Sequence, residues 1–162
     1  MHIRRTDADT IEIAALDSLC SDFLRQIVPC AQCDDHPAVQ ARLYSSPSEG
    51  REPDFDQDWK SYVEPDLRDL FRSAREIVEA DLQNLTPVAS PDDATLRIPF
   101  KHLEAWIHVL NQARLALSAL HDFTERDMES ALGMSDDRRS IALFQVHLYG
   151  FLQECFLRIL DS

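Results

Sequence analysis

The chain has 162 residues, a net charge of −13 and a hydrophobic content of 44%, which together suit one globular domain, 1–162. So acidic a chain repels nucleic acid and anionic membrane surfaces, and neither is an expected partner. No apolar run is long enough to span a bilayer, and the N-terminus lacks the apolar segment of a signal peptide. Because it has only four, irregularly spaced cysteines, the chain is expected in the cytoplasm.

The N-terminal segment, residues 1–14, is predicted to form a small β element. β-prone residues at 3–5 and 11–13 flank a polar turn, which is the pattern of a hairpin. Residues 95–98 resemble a further short strand, and we expect this strand to pair with the hairpin.

Four main helices are predicted from the spacing of apolar residues. They cover residues 15–29, 56–85, 100–121 and 136–160. Asp17 or Ser18 is expected to cap the first helix, and Pro29 is expected to stop it. Pro65 divides the second into a short piece and a longer helix, since proline suits a first helical turn.

The connections between these helices are predicted to be irregular. Residues 30–54 show no clear periodicity, and residues 44–55 are the expected flexible loop. Residues 86–93 form a proline-containing linker, and a short helix over 125–132 is expected to end at Gly133. The fold class that follows is mainly α, a bundle of about four main helices with a small N-terminal hairpin or short sheet.

One helical position carries a charge where an apolar residue is expected. Arg114 falls in the middle of the apolar stripe of the helix at 100–121, where a guanidinium needs acceptors or an opening to water. Asn111, one turn earlier, is expected to share its acceptors, and Gln145, Gln153 and Glu154 are candidate partners. Two interpretations stay open: a structural polar network that fixes helix docking, or a receptor for an anion or a peptide carboxylate.

Cys30, Cys33 and His36 have the spacing of part of a zinc site. A structural zinc ion requires four nitrogen or sulfur ligands, and the chain has no second C-x-x-C motif. We therefore favour a loop with two free thiols and predict no metal, no cofactor and no catalytic residue. Only three glycines occur, which excludes a P-loop and a G-x-G-x-x-G motif.

The last helix, residues 136–160, is apolar on two sides. A helix that is apolar nearly all round lies at the centre of a fold or against a partner. Its second face includes Val146, Gly150 and Leu157, and Gly150 permits close approach of another helix. We therefore expect these three residues to contact another chain in a homodimer.

The order and spacing of several residues also resemble a known family. A tryptophan, an asparagine and an arginine share one helix, an arginine-leucine-aromatic step precedes them, and an aromatic-x3-glutamine-glutamate step lies on the last helix. These positions are Arg42, Trp106, Asn111, Arg114, Tyr149, Gln153 and Glu154. Over most of its length the chain is similar to the domain-of-unknown-function family numbered two thousand and seventeen. The resemblance implies that these residues form a polar network or ligand site.

The family has no established activity, and its actinobacterial members are typically encoded beside the adaptor of the Clp protease. The resemblance therefore implies at most a link to regulated proteolysis, with a Clp-system component as one possible partner. We expect an interaction or regulatory module rather than an enzyme. The alternative is a small-molecule or anion-binding protein, or an enzyme, with a pocket around Asn111 and Arg114.

Overall fold

A computed structural model describes residues 1–87, 93–129 and 137–161. The strands are β1 (His2–Arg5), β2 (Thr10–Leu16), β3 (Thr86–Pro87) and β4 (Ala94–Pro99). The helices are α1 (Ser18–Arg25), α2 (Ile27–Ala31), α3 (Pro37–Leu43), α4 (Pro53–Asp58), α5 (Glu64–Leu82), α6 (Leu103–Leu120), α7 (Glu125–Glu129) and α8 (Arg138–Leu160). Short 3-10 turns cover Cys33–Asp35 and Phe100–His102, and a π-helical turn, Trp59–Val63, joins α4 to α5.

The strands of the described residues form one antiparallel sheet in the order β1-β2-β4-β3. Ile11 of β2 lies opposite Ile98 of β4, and Ile13 lies opposite Leu96. All four side chains are fully buried, because the strands alternate and bury one face in the core. The predicted hairpin and its third strand are therefore confirmed.

The other face of the sheet carries an ion-pair network across three strands. Glu12 of β2 lies opposite Arg4 of β1 and Arg97 of β4. Its Oε1 accepts from Arg4 Nη2 at 2.8 Å, and its Oε2 accepts from Arg97 Nε at 3.2 Å. Hydrogen bonds from Arg4 first, and from Arg97, lower the pKa of the Glu12 carboxyl.

Helix α6 is the centre of the helical layer. It packs against α2, α3, α5 and α8, and Trp106 on it is fully buried. The indole ring meets the ring of Phe156 on α8 edge-on, with 6.0 Å between the ring centroids. The predicted class, mainly α with an N-terminal sheet, is confirmed, and α6 and α8 lie within the predicted helices at 100–121 and 136–160.

The predicted bounds of the first helix, residues 15–29, are wrong. Strand β2 runs further than predicted, so α1 begins only at Ser18, with the carboxylate of Asp17 accepting from the backbone N–H of Cys20 at 2.7 Å. The helix then breaks at Gln26. Pro29 does not stop it, because this proline lies in the first turn of α2, where its missing N–H is not required.

The prediction of an irregular segment at 30–54 is also wrong. It contains α3, and α4 begins at Pro53. The expected flexible loop at 44–55 is anchored at one end, where the indole N–H of Trp59 donates to the carbonyl of Tyr44 at 3.1 Å. Short helices gain most of their stability from packing against other elements, which local composition does not reveal.

Two connections are described only in part. Helix α7 covers the start of the predicted short helix at 125–132, whereas Gly133 and its predicted role lie outside the described residues. The linker at 86–93 is described only at its ends. Among the helices of the described ranges, none has the length and apolar character needed to cross a membrane.

Candidate functional site

Arg114 lies at the edge of the buried side of α6 and not at its centre. The buried residues of this helix centre on Trp106, Val109 and Ala113, roughly 100° round the helix axis from Arg114. The arginine is therefore partly buried where α6 meets α8. The leucines of the predicted stripe are buried, but the buried arc extends further to one side, because several helices surround α6.

Two residues of α8 hold the Arg114 guanidinium. Its Nη1 donates to Oε1 of Gln153 at 2.6 Å, and Nε2 of Gln153 donates in turn to the backbone carbonyl of Ile107 at 3.3 Å. Gly150 lies against the guanidinium, since a Cβ there would be 3.3 Å from both Cζ and Nε of Arg114. We call Arg114, Gly150 and Gln153 the Arg114 site.

The charge of Arg114 has no counter-ion within the described residues. Its Nε is buried and donates no hydrogen bond, and no described carboxylate forms an ion pair with the guanidinium. Burial lowers the pKa of Arg114 from its ordinary value, although an arginine stays charged at neutral pH. The site therefore holds a fixed, partly desolvated positive charge.

Asn111 does not join the Arg114 site, because it lies on the exposed side of α6. Its neighbour Gln112 is buried, and its Oε1 accepts from Nη1 of Arg75 at 3.4 Å. The same Arg75 nitrogen donates to the carbonyl of Ala31 at 3.1 Å. Sequence reasoning missed this buried arginine, because it lies among charged residues at the edge of the apolar side of α5.

Trp106 and Tyr149, two further predicted residues, are fully buried and belong to other networks. The indole N–H of Trp106 donates to Oδ2 of Asp81 at 2.9 Å. The hydroxyl of Tyr149 donates to the backbone carbonyl of Phe23 at 2.8 Å. Both side chains tie helices together inside the core, so neither is open to a ligand.

Arg42 and Glu154 are exposed on separate parts of the surface. Arg42 borders a shallow groove of about 400 Å³ with Leu115 and Ser118 of α6. Glu154 accepts from Arg158, one turn later on α8, in an exposed pair at 2.5 Å. Of the seven residues predicted to form one site, the structure thus brings together only Arg114 and Gln153.

The predicted interface on α8 is largely covered by the chain itself. Val146 is 1% exposed, and Gly150 lies against Arg114 of α6. Only Leu157 is exposed, at 46%. The expectation that Val146 and Gly150 face another chain is therefore wrong, because α6 is the helix that approaches the glycine.

The residues of the possible zinc site have structural roles. Nδ1 of His36 accepts from the backbone N–H of Ala38 at 3.3 Å and so caps α3. Burial raises the pKa of the Cys30 thiol to about 11, which disfavours the thiolate that zinc requires. Within the part of the chain that the structure describes, no group of three or more potential ligands could hold a metal ion.

A further buried polar network, at the end of α5, was not predicted. Asp81, near the end of α5, accepts from the indole of Trp106 and lies 3.0 Å from Nδ1 of His102. Asp81 and Asn84 border a cleft of about 730 Å³ between the sheet and the end of α5. Both oxygens of Asp81 have partners within the chain, so the carboxylate braces the junction of α5 and α6.

The most exposed apolar side chains of the N-terminal half lie along one helical segment. Phe55 of α4 is 45% exposed, Tyr62 of the π turn 73% and Leu70 of α5 52%. Val63 is also exposed, and Trp59 is partly exposed, with its ring centroid 6.4 Å from that of Phe55. All five side chains belong to the continuous helical segment that α4, the π turn and α5 form. We call these five residues the aromatic face.

Exposed carboxylates outnumber the exposed bases Arg51 and Lys60 in the segment that carries the aromatic face. Glu52, Asp54, Asp58 and Asp66 are exposed, and none of them forms an ion pair within the described ranges. This face was not predicted from the sequence. Phe55 and Tyr62, two large aromatic residues among acidic ones, were the available signal.

Comparison with known proteins gives a family and nothing beyond it. No curated protein and no solved structure matches the chain. One family model matches residues 4–160, which is nearly the whole chain. The chain therefore belongs to the family described as a domain of unknown function (DUF2017).

Proposed function

We propose that this chain is a cytoplasmic protein-binding module whose docking surface is the aromatic face. The observation that carries the proposal is the exposure of Phe55, Tyr62 and Leu70 along one helical segment. Large aromatic side chains contribute most of the binding energy in many protein interfaces. In the free chain these three side chains expose apolar area to water, and a bound partner would bury that area.

The backbone of the face supports this role. The π-helical turn Trp59–Val63 inserts an additional residue into the helix and so rotates the side chains that follow it. Such turns occur frequently at functional sites. The indole N–H of Trp59 is fixed on the carbonyl of Tyr44, and Arg68 stacks over the Tyr44 ring with 3.9 Å from Cζ to the centroid. A surface held in this way loses little freedom on binding.

The charge near the aromatic face indicates which kind of partner would bind there. The four unpaired carboxylates in the segment that carries the face, together with a net charge of −13, favour a partner segment that carries lysine or arginine beside its apolar residues. Arginine and lysine also bind over aromatic rings such as that of Tyr62. A second copy of this chain would bring the same carboxylates to the contact, so we favour a different protein.

A component of the Clp protease system is one candidate partner. This choice rests on the gene neighbourhood implied by the family resemblance, and no contact in the structure bears on it. We therefore test the chemistry of the bound segment first and the identity of the partner second.

The experiment compares face variants with a matched control. Tyr62→Ala and Leu70→Ala each remove a side chain of the face, whereas Phe151→Ala removes an exposed aromatic from α8. Proteins captured from native lysate are identified, and overlapping peptides of each are then tested for direct binding to purified chain. We expect a bound peptide with net positive charge and apolar residues, weakened about tenfold or more by each face variant and retained by Phe151→Ala.

Three outcomes contradict the proposal. The first is a bound segment with net negative charge, and the second is equal binding of that segment by all three variants. The third is light scattering that identifies the Tyr62-dependent partner as a second copy of the chain. The last outcome would assign the face to a homodimer.

A further inference from the structure

Arg114 has no carboxylate beside it within the described residues, in contrast to several other arginines of this acidic chain. Arg68 of α5, which is also partly buried, pairs with Glu64 at 2.7 Å, and Arg4 and Arg97 both pair with Glu12. The only hydrogen bond of Arg114 to the described residues goes to a neutral amide, that of Gln153. Partly removing a charge from water without a counter-ion is unfavourable, so the site is poised for an acceptor from outside.

The neighbours of Arg114 hold it in place for such an acceptor. Gln153 is fixed by its bond to the carbonyl of Ile107, so its Oε1 faces the guanidinium. Gly150 leaves room for the guanidinium to lie against α8. Because Nη1 alone is engaged, Nη2 retains its hydrogen-bonding capacity. A guanidinium positioned in advance binds a planar carboxylate through two parallel hydrogen bonds.

The surroundings also limit the ligand. Leu157, one turn after Gln153 on the same side of α8, is 46% exposed. The side chain that hydrogen-bonds Arg114, Gln153, is neutral and adds no second positive charge. The net charge of −13 also opposes a multiply charged anion. A single negative charge with an apolar body therefore fits better than a phosphate.

We infer that the Arg114 site binds a carboxylate whose apolar body lies against Leu157. The carboxylate would accept from Arg114, and the apolar body would cover a side chain that otherwise faces water. This site belongs to α6 and α8, whereas the aromatic face belongs to α4, the π turn and α5, so either can fail without the other.

Thermal unfolding of the full chain with hexanoate as the probe tests the inference. At about ten times its dissociation constant, a ligand raises the melting midpoint of a chain of this size by about 4 °C. Hexanol, which has the same apolar body without the charge, and sodium chloride at equal ionic strength are expected to give no rise. N-acetyl-leucine and its neutral amide form a second pair, which separates a polypeptide C-terminus from a free organic acid.

Two variants connect the effect to the site. Arg114→Met is expected to abolish the hexanoate-dependent rise. Gln153→Glu places a carboxylate from within the chain on Arg114 and is expected to abolish the rise in a protein that still folds. Gln57→Glu adds the same charge at an exposed position of α4 and is the matched control, with the rise retained.

The inference is overturned if none of these carboxylates raises the midpoint at concentrations where chloride has no effect. It is also overturned if inorganic phosphate raises the midpoint and the carboxylates do not. A rise that persists in Gln153→Glu assigns the binding to another place and overturns the inference as well.

Discussion

The indole N–H of Trp106 donates to Oδ2 of Asp81 at 2.9 Å, and this bond joins α6 to α5 inside the core. Asp81 is 4% exposed and also lies 3.0 Å from Nδ1 of His102, directly before α6. One carboxylate thus satisfies two ring nitrogens at the start of the central helix.

Asp81→Ala is expected to lower the free energy of unfolding by about 3 kcal/mol, because it leaves the Trp106 N–H buried without an acceptor. Asp81→Asn, which keeps one oxygen for Trp106, is expected to cost less. Urea unfolding of the two variants beside the parent protein measures both effects. A loss below about 0.5 kcal/mol for Asp81→Ala would mean that the carboxylate does not support the core.

Gly150→Ala is expected to raise the free energy of unfolding by about 0.5–1 kcal/mol, since alanine stabilises a helix interior relative to glycine. The added Cβ would lie 3.3 Å from Cζ of Arg114, so the guanidinium needs to shift by only a few tenths of an ångström and keeps its bond to Gln153. Gly50→Ala is the control, because Gly50 has a φ of +84° that disfavours alanine, with nothing within 4 Å of its Cβ position. We expect this control to lose stability in the same assay. Destabilisation of Gly150→Ala would show that Arg114 cannot move.

Glu12→Gln is expected to destabilise the protein at neutral pH and to match it in strong acid. The pKa of Glu12 is lowered in the folded state, chiefly by the hydrogen bond from Arg4. Its stabilising contribution is therefore present above the pKa of the unfolded chain, about 4.3, and is lost as the pH falls through the lower folded value. Unfolding midpoints measured between pH 7 and pH 2 check this sign, and a difference that grows on acidification would contradict it.

Tyr62→Ala and Leu70→Ala are expected to change the free energy of unfolding by no more than about 0.5 kcal/mol. Both side chains are more than half exposed, so little apolar contact is lost in the free protein. Thermal unfolding measures this before any binding assay. A large loss of stability would assign these residues to the fold, and the docking proposal would lose its main support.

The sequence predicted those elements in which local pattern and tertiary environment agree. Ile11, Ile13, Leu96 and Ile98 alternate in strands that bury one face, so their pattern identified the sheet. Asp17 capped α1 as its position predicted. The outline of α1 and α2 was not predictable in this way, since a proline in a first helical turn gives the same signal as one that ends a helix.

The candidate site was predicted only in part, because burial around a central helix does not follow a single stripe. Arg114 was identified because it interrupts a series of apolar residues. Its hydrogen-bond partner lies on a different helix, and of the candidate partners only Gln153 forms a bond with it. Arg75 was hidden among charged residues of α5 although it is more buried. Tyr62 lies exposed in a π turn, which no local pattern indicates.

Strand β2 receives one neighbour from the adjoining strand β1 and the other from β4, more than eighty residues later in the chain, as the 85-residue separation of Glu12 and Arg97 illustrates. During synthesis the hairpin therefore emerges long before the strand that covers its open edge. Until then Ile11 and Ile13 lie beside unpaired backbone groups that other chains can bind. A fragment that ends before residue 94 is accordingly expected to aggregate. The late pairing of β4 with β2 is the step that protects the nascent sheet from binding other chains.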